Sequence, residues 1–264
     1  QEHSRGRVTV YLNPDDPVAD ALPDLFDLPE RTAELEGRST RIAGRPTSWH
    51  WEPEWAGPEG VHVRQYAHGG ALGRWLGTVF FGEARMLDEL RLSIHAERSG
   101  VATAIPLAVR IERVYGPFVR AHYVCRTIPD APNLLDYLHF GDADPDMRPK
   151  IRKEIVLAVT DAVASMHDAG IVHADLNLKN ILLRTDDWPF RAWIIDFDKA
   201  TMVDEVDLET RIDNLLRLER SFLKWPSSRP FARTTDRLRF LRAYLRRYPA
   251  WRSRLREQAG KCAR

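Results

Sequence analysis

Apolar positions along the chain recur with two periods, and the period changes near its middle. Val8 to Leu12 predicts a short strand. From Gly60 to Tyr66 apolar and polar residues alternate: Val61 and Val63 share one face, and Arg64 lies between Val63 and Gln65. That alternation predicts a half-buried strand, broken at His68-Gly69-Gly70. Residues 81–98 predict a helix, with Leu87, Leu90 and Ile94 on one apolar face. Ile105 to Glu112 and Phe118 to Ile128 predict two more strands, the second ended by Pro129-Asp130-Ala131-Pro132. Helical structure begins at Leu134 to Phe140 and is clearest over 149–168. There Pro149 suits the first turn and Gly170 the stop. Its buried face is Ile151, Ile155, Ala158, Val159, Ala162, Val163 and Met166. Two short apolar runs follow, Ile181 to Leu183 and Trp193 to Ile195, with a turn at Asp186 to Pro189 between them, and both read as strands. Leu238, Leu241, Leu245 and Tyr248 then recur at helical spacing over 234–248, which predicts a C-terminal helix with those residues inward.

Composition changes this picture little. The chain has 264 residues, 44% hydrophobic and 29% charged, which is ordinary for a globular protein with a sizeable core. No apolar run approaches the roughly 20 residues of a membrane-spanning helix. The opening QEHSRGRVTV lacks the apolar core of a secretory signal. Cys125 and Cys262 show no metal-ligand spacing and are expected as free thiols in a reducing cytoplasm. Charge is more informative. The net charge is +1, yet Arg229 to Arg256 holds ten Arg, no Lys and one acid, Asp236, and so carries +9 against −8 elsewhere. Such asymmetry points to an anionic partner at the C-terminal end. Nucleic acid is not expected, because no base-reading motif accompanies the patch.

The candidate chemistry is concentrated in IVHADLNLKNILLRTDDWPFRAWIIDFDKA, Ile171 to Ala200. Asp175 is followed five residues later by Asn180, and Asp196 heads a DFD triplet after the second strand. Phosphoryl transfer needs a carboxylate to orient the attacking hydroxyl and oxygen ligands to hold magnesium on the ATP phosphates. A catalytic-loop Asp, an Asn five residues on and a DFG-like Asp form the signature set of that chemistry. Asp175 is thus the expected base, with Asn180 and Asp196 the metal ligands. A turn-rich hairpin with solvated Asp and Asn is the plainer alternative, but the joint pattern is much rarer. His167 and His173 flank the turn before it and are read as structural, without metal-ligand company.

The nucleotide side is less explicit. Leu35 to Ala43 predicts a strand and turn with only Gly37 of a phosphate-covering Gly-rich loop. The first Lys of the chain is Lys150, so the N-terminal half lacks the usual phosphate-binding Lys. Arg64 is the cation best placed to replace it, by bidentate hydrogen bonding, and Glu89 on the 81–98 helix is its expected partner. Otherwise Arg64 is a surface strand residue and Glu89 an exposed helix Glu. Val124 to Ile128 is the candidate adenine-facing strand end.

Taken together, HDAGIVHADLNLKNILL, IIDFDKA, GRSTRI, VRQYAHGG, DELRL and NLLRLERSFLK resemble the Kdo kinase branch of the lipopolysaccharide kinase family over residues 35–225. That resemblance implies an α+β, two-lobed, protein-kinase-like fold with a small antiparallel N-lobe sheet, one N-lobe helix and a mainly helical C-lobe. It divides the chain into an extension at 1–34, an N-lobe at 35–128 and a C-lobe at 129–264. It also implies ATP with magnesium and phosphorylation of a sugar hydroxyl on Kdo of the lipid A precursor. The setting would be the cytoplasmic face of a Gram-negative inner membrane, with the Arg-rich segment on the anionic surface. Asp198 stands where DFG has Gly, which fits this branch. Arg126 departs from the acidic residue expected before the hinge. Ala174 replaces the Arg of HRD and no APE motif follows, so a phosphorylation-switched protein kinase is not expected. Asn177 stands where kinases often carry Lys, and Lys179 and Lys199 are the cations expected to supply that charge, Lys179 within the cofactor site. Phosphorylation of a core heptose, another small molecule or a protein stays open, as does a pseudokinase lacking the N-terminal Lys.

Overall fold

The structure is a computed structural model and describes residues 1–16, 18–28, 48–68, 77–140, 149–226, 228–231 and 233–251. It divides into two compact units, Gln1–His95 with Ala104–Pro129, and Ala96–Thr103 with Asp130–Arg264.

In the first unit, strands β1 (Glu2–Arg5), β2 (Val8–Leu12), β3 (Ser48–Trp51), β4 (Val61–Gln65), β5 (Phe80–Phe81), β6 (Pro106–Tyr115) and β7 (Phe118–Arg126) form one sheet. Its order is β1-β2-β6-β7-β4-β3, with β5 on the other end of β7, and every pairing is antiparallel. Successive side chains of a strand point to opposite faces, and this sheet buries both. Val61 and Val63 join Trp49, Trp51, Val10, Leu12 and Val124 on one face. Tyr123 and Cys125, flanking Val124, join Tyr66, Val109 and Ile111 on the other. Helix α2 (Ala84–Arg98) covers that second face with Met86, Leu90 and Ile94, spaced four apart.

Residues 1–28, expected as an extension, are built into this sheet. β2 pairs with β6 from Val8↔Glu112 to Leu12↔Ala108. Leu25 and Leu28, in and just beyond α1 (Leu22–Phe26), are fully buried with Val10 and Leu12. The strand expected at Val8–Leu12 is β2, while the Pro-bearing composition suggests loop for the rest of the segment, where α1 forms instead. Phe81, expected at the helix start, instead pairs with Phe118 in β5. Gly82, at φ +70°, turns the chain out of the strand and donates its N–H to the Pro117 carbonyl, 2.8 Å.

The second unit contains α3 (Leu134–Phe140), α4 (Pro149–Asp168), α5 (Leu208–Lys224) and α6 (Thr234–Arg246). Two small antiparallel pairs join them, β8 (Ile171–Val172) with β11 (Thr201–Met202) and β9 (Ile181–Arg184) with β10 (Arg191–Ile194). α4 buries Ile155, Val159, Ala162, Val163 and Met166 as expected. α6 does not bury the expected stripe: Leu238 and Leu241 are 45% and 42% exposed. Its inward face carries Asp236 and Tyr244. Asp236 forms a buried ion pair with Arg152 of α4, Nε to Oδ2 2.6 Å, and Tyr244 hydrogen-bonds His167, 2.7 Å. An aliphatic stripe is the usual sign of a buried face, and here polar partners on α4 turn the helix the other way.

Candidate active site

β8 delivers the catalytic loop, and a histidine holds that loop together. The buried His173 ring spans it: Nδ1 accepts the Asp175 backbone N–H, 3.1 Å, and Nε2 donates to the Ile195 carbonyl, 3.2 Å. A carbonyl cannot donate, so Nε2 carries the proton. Burial pushes the imidazole pKa down, which keeps it neutral in this bridging form. One ring thereby links the peptide of Asp175 to the peptide preceding Asp196.

The Asp175 carbonyl accepts from Asn180 Nδ2, 2.9 Å, and from Asn177 Nδ2, 3.0 Å. Asn177 Oδ1 in turn accepts the Lys179 N–H, 2.8 Å, and so caps the single 3₁₀ turn Leu178–Asn180. The Ile195 N–H donates to the Asn180 carbonyl, 3.0 Å, drawing the two candidate metal ligands onto neighbouring backbone. Asp196 has φ +69°. A non-glycine residue in the left-handed region is held there by its surroundings, and such residues gather at functional sites. The Asp175 side chain is exposed while its backbone is tied on both sides.

Helix α5 supports the loop from beneath. Asn214 Oδ1 accepts the His173 N–H, 3.1 Å, Arg217 donates to the Ala174 carbonyl, and Ser221 Oγ accepts the Leu178 N–H, 3.2 Å. Residues 214, 217 and 221 lie on one helical face. Sequence reasoning missed this role. The available signal was a polar Asn-Arg-Ser stripe on the side of an amphipathic helix that also carries Leu218. His167 completes the arrangement: Nε2 donates to Asn214 Oδ1, 3.4 Å, and Nδ1 accepts from Tyr244 Oη. Burial lowers its pKa to about 4.

In the first unit, Arg64 and Glu89 meet. Arg64 Nη2 lies 2.5 Å from Glu89 Oε1, and Tyr66 Oη donates to Glu89 Oε2, 2.5 Å. Glu89 is 3% exposed. The Arg64 guanidinium lies over the rings of Tyr66 and Tyr123, 4.9 and 5.7 Å from their centroids. Arg64 is thus opposite the inward Val61 and Val63, on the α2 face of the sheet, and is not a plain surface residue. Burial and the Glu89 carboxylate raise the Tyr66 pKa well above the ordinary tyrosine value, so the phenol stays a donor. Tyr66 was not foreseen.

The remaining expected residues divide. Gly37 lies outside the described residues. Val124 is packed with Trp49 and Trp51, and Cys125 lies under α2 with its thiol pKa pushed up to about 12 by burial. Arg126 pairs with Asp16, 2.8 Å. Lys179 is exposed, its ammonium 5.2 Å from the ring centroid of Trp225. Among the described residues no group of three or more His, Cys, Asp or Glu gathers as a metal site.

A tethered aspartate, an Asn five residues on and a left-handed Asp closing a β-hairpin, on this α+β scaffold, define a phosphotransferase of the protein-kinase-like class. Residues 53–244 match the Lipopolysaccharide kinase (Kdo/WaaP) family, and the chain belongs to that family and is a kinase. It is 30% identical over 185 residues to the 3-deoxy-D-manno-octulosonic acid kinase of Vibrio cholerae serotype O1, covering 69% of this chain and 72% of that one. To the enzyme of the same name from Vibrio parahaemolyticus serotype O3:K6 it is 32% identical over 186 residues, 69% and 71% of the two chains. The solved structure of WaaP in complex with acyl carrier protein shares the fold, with a TM-score of 0.60 at 24% identity, over 96% of this chain and 95% of that one.

Proposed function

We propose that this kinase transfers the γ-phosphoryl group of ATP to a hydroxyl of 3-deoxy-D-manno-octulosonic acid (Kdo) in the lipopolysaccharide inner core. The observation that carries the chemistry is the catalytic loop, in which His173, Asn177 and Asn180 fix the Asp175 backbone and leave its carboxylate exposed. Kinship with kinases of that acceptor supports the choice of sugar.

In this reading Asp175 accepts a hydrogen bond from the acceptor hydroxyl and takes its proton as the new O–P bond forms. The bond from the γ-phosphorus to the β-bridging oxygen breaks, and ADP leaves. Arg64, held by Glu89, is the phosphate-binding cation. Magnesium suits the donors present: the Asn180 amide nitrogen is committed to the Asp175 carbonyl, so its hard carbonyl oxygen is the ligand it offers beside the Asp196 carboxylate. When bound, the ion supplies charge neutralisation of the ATP phosphates. Arg217 binds the Ala174 carbonyl, so the loop is fixed without the regulatory Arg of HRD.

The enzyme works on the surface of an anionic membrane in this reading. α6 exposes Leu238 and Leu241 beside the exposed Arg237, Arg242 and Arg246, an apolar strip within a basic face. Such a helix lies in the interface plane. Among the described residues no helix is long and apolar enough to cross a membrane.

The test is transfer from radiolabelled ATP to a panel of Kdo-bearing and heptose-bearing acceptors. Label on the Kdo acceptor, reduced at least about 10²-fold by Asp175→Asn, is expected. Label on heptose alone, or a fully active Asp175→Asn enzyme, overturns the assignment.

A further inference from the structure

Trp225 is the first residue beyond α5, in extended backbone at φ −99° and ψ 127°, and is half-buried. Two ammonium groups lie against it. Lys179 Nζ is 5.2 Å and Lys224 Nζ 5.4 Å from its ring centroid. Both lysines are exposed.

These three residues are not scattered over the surface; each is anchored to the loop that carries Asp175. Lys179 follows Asp175 by four residues, and its N–H is held by Asn177, whose own amide donates to the Asp175 carbonyl. Trp225 and Lys224 close α5, and Ser221, one turn earlier, accepts the N–H of Leu178, the residue before Lys179. Two like charges share one aromatic ring, an arrangement that an anion between or beside them stabilises. The ring contact of an exposed cation is weak. A carboxylate reached by both ammonium groups makes charge-assisted hydrogen bonds to each. An indole beside them offers an apolar platform for the C–H face of a pyranose.

We propose that Lys179, Trp225 and Lys224 form an acceptor subsite that reads the carboxylate of an acidic sugar while Asp175 engages its hydroxyl. The enzyme then selects sugar acids over neutral sugars, and Lys179 serves the acceptor rather than the nucleotide. This inference rests on the acidic-sugar reading of the reaction given above.

The experiment compares two acceptors with the full chain: a Kdo-bearing acceptor and its carboxyl-reduced form, which has the same ring hydroxyls. The wild type is expected to show a KM for the reduced form at least about tenfold higher, the equivalent of one lost charge-assisted bond. Lys179→Ala and Lys224→Ala each raise KM for the acidic acceptor by a similar factor, leave KM for ATP unchanged, and leave KM for the reduced acceptor unchanged. Lys→Arg at either position restores most of the loss, and Trp225→Phe is milder than Trp225→Ala. Circular dichroism identical to wild type shows that the variants fold. Equal KM for the two acceptors in the wild type sinks the subsite while leaving the Kdo reading intact. A rise in KM for ATP in Lys179→Ala returns that lysine to the nucleotide and also sinks it. No transfer to either acceptor by the wild type sinks the Kdo reading and the subsite with it.

Discussion

Glu89→Ala is the most informative single change in the first unit. Its carboxylate, 3% exposed, takes Arg64 on one oxygen and Tyr66 on the other, each at 2.5 Å. Truncation leaves the buried Tyr66 hydroxyl without its acceptor, which costs about 1–3 kcal/mol. It also removes the carboxylate facing Arg64. Breaking a fully buried pair costs about 3–5 kcal/mol, but the Arg64 side chain is 16% exposed, so roughly half of that applies here. The expected destabilisation is about 4 kcal/mol. Glu89→Gln keeps an acceptor for Tyr66 and should lose only about half as much. In an Arg64→Met background, Glu89→Ala should cost only the tyrosine share, a coupling of about 1.5–2.5 kcal/mol. The assay is urea unfolding of the four proteins of the double-mutant cycle, followed by tryptophan fluorescence, with ATP affinity measured in parallel. Arg64→Ala should weaken ATP binding and Arg64→Lys restore part of it, since the charge stays while the bidentate fork is lost. Losses that add within about 0.5 kcal/mol would refute the pair as an energetic unit.

Asp196→Ala should abolish the magnesium dependence of ATP binding in titration calorimetry; an unchanged dependence removes Asp196 from the metal site. Gly170→Ala should destabilise by at least about 2 kcal/mol, because φ is +75° and a Cβ there would lie 2.1 Å from the Val203 carbonyl oxygen; a wild-type melting temperature contradicts this. Burial lowers His122 to about 3 and His167 to about 4, against an ordinary 6.5. The unfolded chain therefore takes protons below pH 6.5 that the folded chain refuses, so stability is full above pH 6.5 and falls as pH drops, by about 1.4 kcal/mol per unit for each ring. Urea midpoints at pH 7 and pH 5 should differ accordingly, His167→Gln should remove its share, and coincident midpoints refute the assignment.

What could be read from the sequence followed the range of each interaction. Asp175, Asn180 and Asp196 are set by spacing along a short loop and hairpin, and the alternation in β4 placed Arg64 opposite Val61 and Val63, where Glu89 meets it. The face of α6 was not legible, because its direction depends on Arg152, 84 residues from Asp236, and on His167, 77 residues from Tyr244. An aliphatic stripe outweighs such partners in any local reading. β2 was legible as the strand at Val8–Leu12, but β1 was hidden: the four residues EHSR carry no alternation of their own, and they pair only with β2. Tyr66 closes the alternating stretch just beyond β4, and nothing local marks its hydroxyl as the second donor to Glu89.

The α5 contacts bear on how the enzyme is made. Each bond from Asn214, Arg217 and Ser221 to the catalytic loop spans 41 to 43 residues of chain. A ribosome releases the chain from its N-terminal end, so Asp175, Asn180 and Asp196 all emerge before the helix that holds their loop. A nascent chain ending at Ala200 carries every residue of the phosphotransfer motif but none of these props. Competence for phosphoryl transfer thus arrives late in synthesis, after Ser221 has cleared the exit tunnel, and a truncated translation product is an inert one.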